Sequence, residues 1–152
     1  MISDVFHVNL VVSDLPRSVT FYQGLGFEVL GQLEPAGPDL GLPLGLTTRR
    51  LRTAFLRLPG DGPYLDLVEF VEPPSTLPAH PSAAALGIAR IAFWSRDLHG
   101  TVAAAEAGGA TAVAPPYRFP GPGGAVVDTV CFTDPDGILL QVFSAVPEEA
   151  EA

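Results

Sequence analysis

The chain has 152 residues, 47% of them apolar and 16% charged, which is enough to bury a core and too apolar for a disordered segment. Eight Lys+Arg against 17 Asp+Glu give a net charge of -9, a field that repels a nucleic-acid backbone. One cysteine excludes an internal disulfide framework and a cysteine-cluster zinc site, and 16 Gly with 16 Pro argue for many turns rather than a helical bundle. No apolar run is long enough to span a bilayer, and the opening Met1-Ile2-Ser3-Asp4 lacks the form of a signal peptide, so a cytoplasmic domain without a membrane or nucleic-acid partner is expected.

In chain order, residues 5–12 alternate as a strand, with Phe6, Val8, Leu10 and Val12 on one face and His7, Asn9 and Val11 on the other. Ser13 or Asp14 caps a helix that Pro16 enters in its first turn and Gly24-Leu25-Gly26 stops; Val19, Tyr22 and Leu15 form its buried stripe. Phe27–Leu30 predicts a short strand, 31–48 a long loop that can act as a lid, and Arg50–Leu58 and Tyr64–Val71 two further strands. Pro73, Pro74, Pro78 and Pro81 make a stiff linker. The pattern then begins again: a strand over Gly87–Ser95, a helix opened by Asp97-Leu98 and ended at Gly108-Gly109, a short strand over Thr111–Val113, and a Pro/Gly loop over Pro115–Gly124. Two last strands, Ala125–Thr133 and Ile138–Ser144, are joined by the turn Asp134-Pro135-Asp136-Gly137, and the tail from Pro147 is expected to fray.

A shift of 83 residues lays His7 on Arg90, Asp14 on Asp97 and Gly26 on Gly109. Each half reads strand–helix–strand–strand–strand and is too small to bury a sheet face alone. The predicted fold is therefore α+β: two βαβββ modules forming one curved eight-stranded cup with helices outside. One domain over 1–152 is expected, with a first module at about 4–73, a linker at 74–86, a second module at about 87–146 and a tail at 147–152.

The stretch from His7-Val-Asn-Leu-Val-Val-Ser-Asp to Gly26-Phe-Glu resembles the first module of the vicinal oxygen chelate superfamily, which holds glyoxalase I, extradiol dioxygenases, an epimerase and the fosfomycin- and bleomycin-resistance proteins. The ending Phe132-Thr-Asp-Pro-Asp-Gly-Ile-Leu-Leu-Gln-Val resembles its second-module signature, and the likeness runs over roughly 4–145. The resemblance implies a cup with four metal-ligand slots, filled here by His7, Asp66, Arg90 and Gln141. It also implies a homodimer, as in many relatives. Two slots depart from the usual His and carboxylate set: Gln141 stands where Glu is usual and Arg90 where His is common. A guanidinium has no lone pair to offer a cation.

The alternation groups the same four residues, each polar within a strand whose other face is apolar. Three readings follow. A divalent metal could bind through His7, Asp66 and Gln141. Alternatively Arg90 stands in for the metal, with no cofactor, and holds an anionic or carbonyl oxygen while His7 donates a hydrogen bond or acts as acid/base. Or the four form a satisfied polar network that serves only the fold.

Tyr64 shares a phase with Asp66, Trp94 with Arg90, and Phe143 with Gln141, giving aromatic walls suited to flat ligands. Asn9, beside His7 on the same face, joins the ligand contacts. Arg52 is assigned there too, as a cation at the cup mouth; the competing reading makes it, with Arg50, a solvated edge. Glu69 and Asp128 are second-rank bases, His80 and His99 surface residues, and Cys131 an inert core thiol. The functional expectation is a diverged family member, in bacterial specialised metabolism or resistance, that binds a hydrophobic or aromatic small molecule without the usual metal. The alternative is an isomerase, cyclase or lyase in which His7, Arg90 and Asp66 are catalytic and Arg90 stabilises an oxyanion. Whether the protein is an enzyme stays open at this level.

Overall fold

The structure, a computed structural model, describes residues 1–79, 83–121 and 125–145. It divides into two compact units, Met1–Leu77 and Pro78–Ala152. His80, Pro81 and the tail from Pro147 lie outside the described residues.

In the first unit β1 (His7–Val11), α1 (Leu15–Gly24), β2 (Glu28–Leu33), β3 (Arg50–Arg57) and β4 (Tyr64–Glu72) follow in chain order. They build a four-stranded sheet of order β1-β4-β3-β2, parallel between β1 and β4 and antiparallel elsewhere. The core lies between one sheet face and α1: Leu10, Ala54, Leu56, Leu65 and Leu67 are buried with Leu15, Val19, Phe21 and Tyr22 of the helix. The 31–48 segment is less open than expected. β2 extends to Leu33, a 3₁₀ turn occupies Leu42–Leu44, and Arg49 N and the Thr48 hydroxyl both donate to Glu72 O.

In the second unit β5 (Ile91–Trp94), α2 (Leu98–Ala107), β6 (Thr111–Ala112), β7 (Tyr117–Pro120), β8 (Val126–Thr133) and β9 (Leu139–Ala145) form a helix and a five-stranded sheet of order β5-β9-β8-β6, with β7 also paired to β8. β7 corrects the expectation of a loop over Pro115–Gly124. It is a short edge strand, where proline is tolerated, and Arg118 grips Asp128 across it through Nε–Oδ1 (2.8 Å) and Nη2–Oδ2 (3.0 Å).

The 83-residue repeat holds at the level of single hydrogen bonds. Asp14 caps α1 by accepting from Arg17 N, and Asp97 caps α2 by accepting from Gly100 N. Gly26 N donates to Gln23 O and Phe27 N to Tyr22 O; Gly109 N donates to Glu106 O and Ala110 N to Ala105 O. The two stop glycines sit at φ +96° and +98°, a region that costs a residue with a Cβ roughly 1–2 kcal/mol. A Cβ at Gly26 meets no atom within 4 Å, and one at Gly109 only Pro135 Cγ at 3.8 Å. The penalty is therefore one of backbone conformation, and Gly26→Ala and Gly109→Ala are expected to lower stability by that same amount in urea melts. A loss near zero at either position would show that its turn relaxes to negative φ.

Candidate functional site

In each unit the sheet face turned away from the helix carries a polar centre beside aromatic rings. On the first unit, β1–β4 register pairs His7 with Tyr64 and Asn9 with Asp66, so these four share a face. Asp66 is buried, and both of its oxygens have donors: the Thr53 hydroxyl gives to Oδ1, and Asn9 Nδ2 to Oδ2 at 3.1 Å. The exposed His7 ring forms a T-shaped pair with Phe6, centroids 5.1 Å apart, and has no hydrogen-bond partner among the described residues. Phe6 packs edge-on to Tyr64, and the Arg57 guanidinium lies 5.5 Å over the Tyr64 ring.

On the second unit, β5–β9 register pairs Ala92 with Gln141 and Trp94 with Phe143. Arg90 lies one residue before β5, outside the strand expected to hold it, and its Nε donates to Gln141 Oε1 at 2.6 Å. Gln141 Nε2 donates to Thr129 Oγ1 (3.0 Å), whose own proton goes to Val142 O (2.9 Å). Trp94 and Phe143 lie 5.8 Å apart with rings tilted, and Trp94 is 69% exposed. A pocket of about 410 Å³ opens beyond them, lined by Trp94, Ser95, Arg96, Ser144 and Ala145.

Thr53 and Thr129 were not expected from the sequence. Each sits on the strand before a slot residue and hydrogen-bonds it, at a spacing of 13 residues in one unit and 12 in the other. The repeat was the available signal, because a threonine precedes both slots at nearly the same distance.

Other expectations are corrected. Arg52 does not share the face of Asp66. It pairs in register with Glu69, on the side of the buried Ala54 and Leu56, with Nη1 3.6 Å from Glu69 Oε1 and Nε 3.8 Å from Glu34 Oε1. Glu69 faces the same way and accepts from Leu15 N at the start of α1, so it serves the helix. Asp128 is held by Arg118, whose hydrogen bonds keep its carboxyl below the usual carboxylate range. Cys131 is half-buried opposite Gln141 rather than in the core.

The residues present fit a divalent cation poorly. Among the described residues no three His, Cys, Asp or Glu side chains group to hold a metal ion. In the second unit the only acceptor oxygen of Gln141 already takes the Arg90 proton, and a guanidinium repels a cation.

The model of the Glyoxalase/Bleomycin resistance protein/Dioxygenase superfamily matches residues 4–142. The chain belongs to this superfamily. No curated protein matches it. Among solved structures this glyoxalase-superfamily chain is similar to a glyoxalase family protein from Bacillus cereus, at TM-score 0.86 and 20% identity over 97% of each chain. It is also similar to a glyoxylase/bleomycin resistance protein/dioxygenase domain from Frankia sp. EAN1pec, at TM-score 0.64 and 21% identity over 98% of this chain and 96% of that one. A third match is an antibiotic-binding protein from Streptomyces sp. CB03234, at TM-score 0.60 and 21% identity over 95% and 98%. At such identities the likeness establishes the fold. The mixed α+β architecture expected from the sequence is the superfamily's own.

Proposed function

We propose that this superfamily member binds a hydrophobic or aromatic small molecule without the family's metal, as a cytoplasmic homodimer in bacterial specialised metabolism or resistance. The observation that carries the reading is the Arg90–Gln141–Thr129 chain beside the Trp94–Phe143 pair: a fixed polar anchor next to an exposed aromatic platform. The fold is also one on which a structurally similar protein from Streptomyces binds an antibiotic. Gln141 is a further ligand contact on this face, and Asn9 and Tyr64 are proposed as contacts on the first unit's own face. A thermal-shift and native-mass screen against aromatic polyketides, thioesters and divalent metals tests the reading. Stabilisation by the first class alone supports it, and stabilisation by metals alone overturns it.

An enzyme is the second reading, favoured by the exposed His7 imidazole, whose nitrogens have no hydrogen-bond partner among the described residues. It would be an isomerase, cyclase or lyase in which His7, beside Asp66 on the first unit's face, is the acid/base. His7→Ala separates the two. In a binding protein, ligand affinity is expected to fall by about threefold or less; in an enzyme, turnover falls by about 10²–10⁴-fold while binding persists.

A further inference from the structure

Resting on the ligand-binding reading, we infer that the molecule taken by the second unit's sheet face is a flat aromatic carboxylate, with its carboxylate on Arg90 and its rings beside Trp94 and Phe143. Hydrogen-bond direction carries the first half of the argument. Thr129 gives its proton to Val142 O, so its oxygen can only accept, and the donor it accepts from is the Gln141 amide nitrogen. The Gln141 oxygen is thereby turned toward Arg90 and receives the Nε proton. Every atom in this chain has one role, and it ends on a guanidinium whose Nη edge has no partner among the described residues. That edge offers two parallel N–H donors spaced for the two oxygens of a carboxylate.

Charge carries the second half. Arg50, Arg52 and Arg118 each neutralise a carboxylate of this chain. Arg90 is oriented instead by a neutral amide and makes no ion pair among the described residues. Its full positive charge therefore stays on an exposed face of a protein with net charge -9. A glutamate at position 141 would orient the same nitrogen and cancel that charge; the glutamine orients it and leaves the charge for a ligand. Space for the ring system comes from Ala92, an exposed small residue in register with Gln141, with Trp94 two residues further, about 7 Å along the strand.

Anthraquinone-2-carboxylate and anthraquinone-2-carboxamide are matched in rings and differ in charge. Trp94 is the chain's single tryptophan, so its emission reports binding at this face directly. With the full-length protein near neutral pH, the acid is expected to bind about tenfold or more tighter than the amide. That ratio should fall to about twofold or less in both Arg90→Gln and Gln141→Glu, and shrink as salt is added. Circular dichroism and melting temperature confirm that each variant is folded, and Gln141→Glu supplies the test if Arg90→Gln does not fold. Equal affinity of wild type for acid and amide, or an acid preference that survives in both variants, overturns the inference while leaving ligand binding intact. If neither probe changes Trp94 emission or the melting temperature up to its solubility limit, the inference and the reading beneath it fall together.

Discussion

Trp94→Ala is expected to weaken binding of a flat conjugated ligand by about 10–100-fold while leaving the protein folded. The size follows from what the side chain offers: a large rigid ring, 69% exposed and set 5.8 Å from Phe143 on a face that also holds Gln141. Little of that ring packs against the core, so its loss leaves no cavity and the melting temperature should hardly move. Calorimetric titration with anthraquinone-2-carboxylate checks this without needing the tryptophan signal. Unchanged affinity would mean that the ligand sits elsewhere.

The largest stability effects are expected at Tyr22 and Phe132, each costing about 3–5 kcal/mol on replacement by alanine, read as the shift of the urea midpoint. Both are essentially buried, and they show how the two units fill equivalent space differently. The repeat lays Tyr22 on Ala105, both buried in their helices, and the strand registers place Leu56 opposite Leu65 just as Phe132 stands opposite Leu140. The first unit thus puts the large side chain on the helix and the smaller one on the strand; the second unit reverses them. Tyr22 also meets Phe21 and Phe27 edge-on at 5.1 and 5.7 Å, contacts that alanine removes. A loss below about 1 kcal/mol at either site would show that the core collapses around the gap.

Much of this was legible in the residues because the signals were local. The caps Asp14 and Asp97, the stop glycines and the Asp134–Gly137 turn each act through bonds to near neighbours; Asp134 Oδ1 accepts from both Asp136 N and Ile138 N. His7, Asn9, Tyr64 and Asp66 lie in strands where one face is plainly apolar, so alternation alone assigns their side. Arg52 failed for a physical reason. In β3 both phases carry apolar residues, Leu51 and Phe55 on one side and Ala54 and Leu56 on the other, so alternation gives no direction. A register shift between Arg50 and Leu51 adds to the ambiguity. The strand Tyr117–Pro120 was hidden because Pro115, Pro116 and Pro120 read as loop, and what holds it is the cross-strand pairing of Arg118 with Asp128, ten residues on. Thr53 and Thr129 show only when the two halves are compared, because a single threonine within a strand carries no periodic signal.

The account turns on a guanidinium, oriented by an amide, at the position that the family resemblance assigns to a metal ligand. Titration of the purified wild-type protein with zinc, manganese, nickel and ferrous ions, followed by melting temperature and elemental analysis, tests this most directly. No upward shift and well under one ion per chain are expected, because Gln141 Oε1 is already bonded to Arg90. One tightly held ion per chain that raises the melting temperature, and is lost in Gln141→Leu, would contradict it.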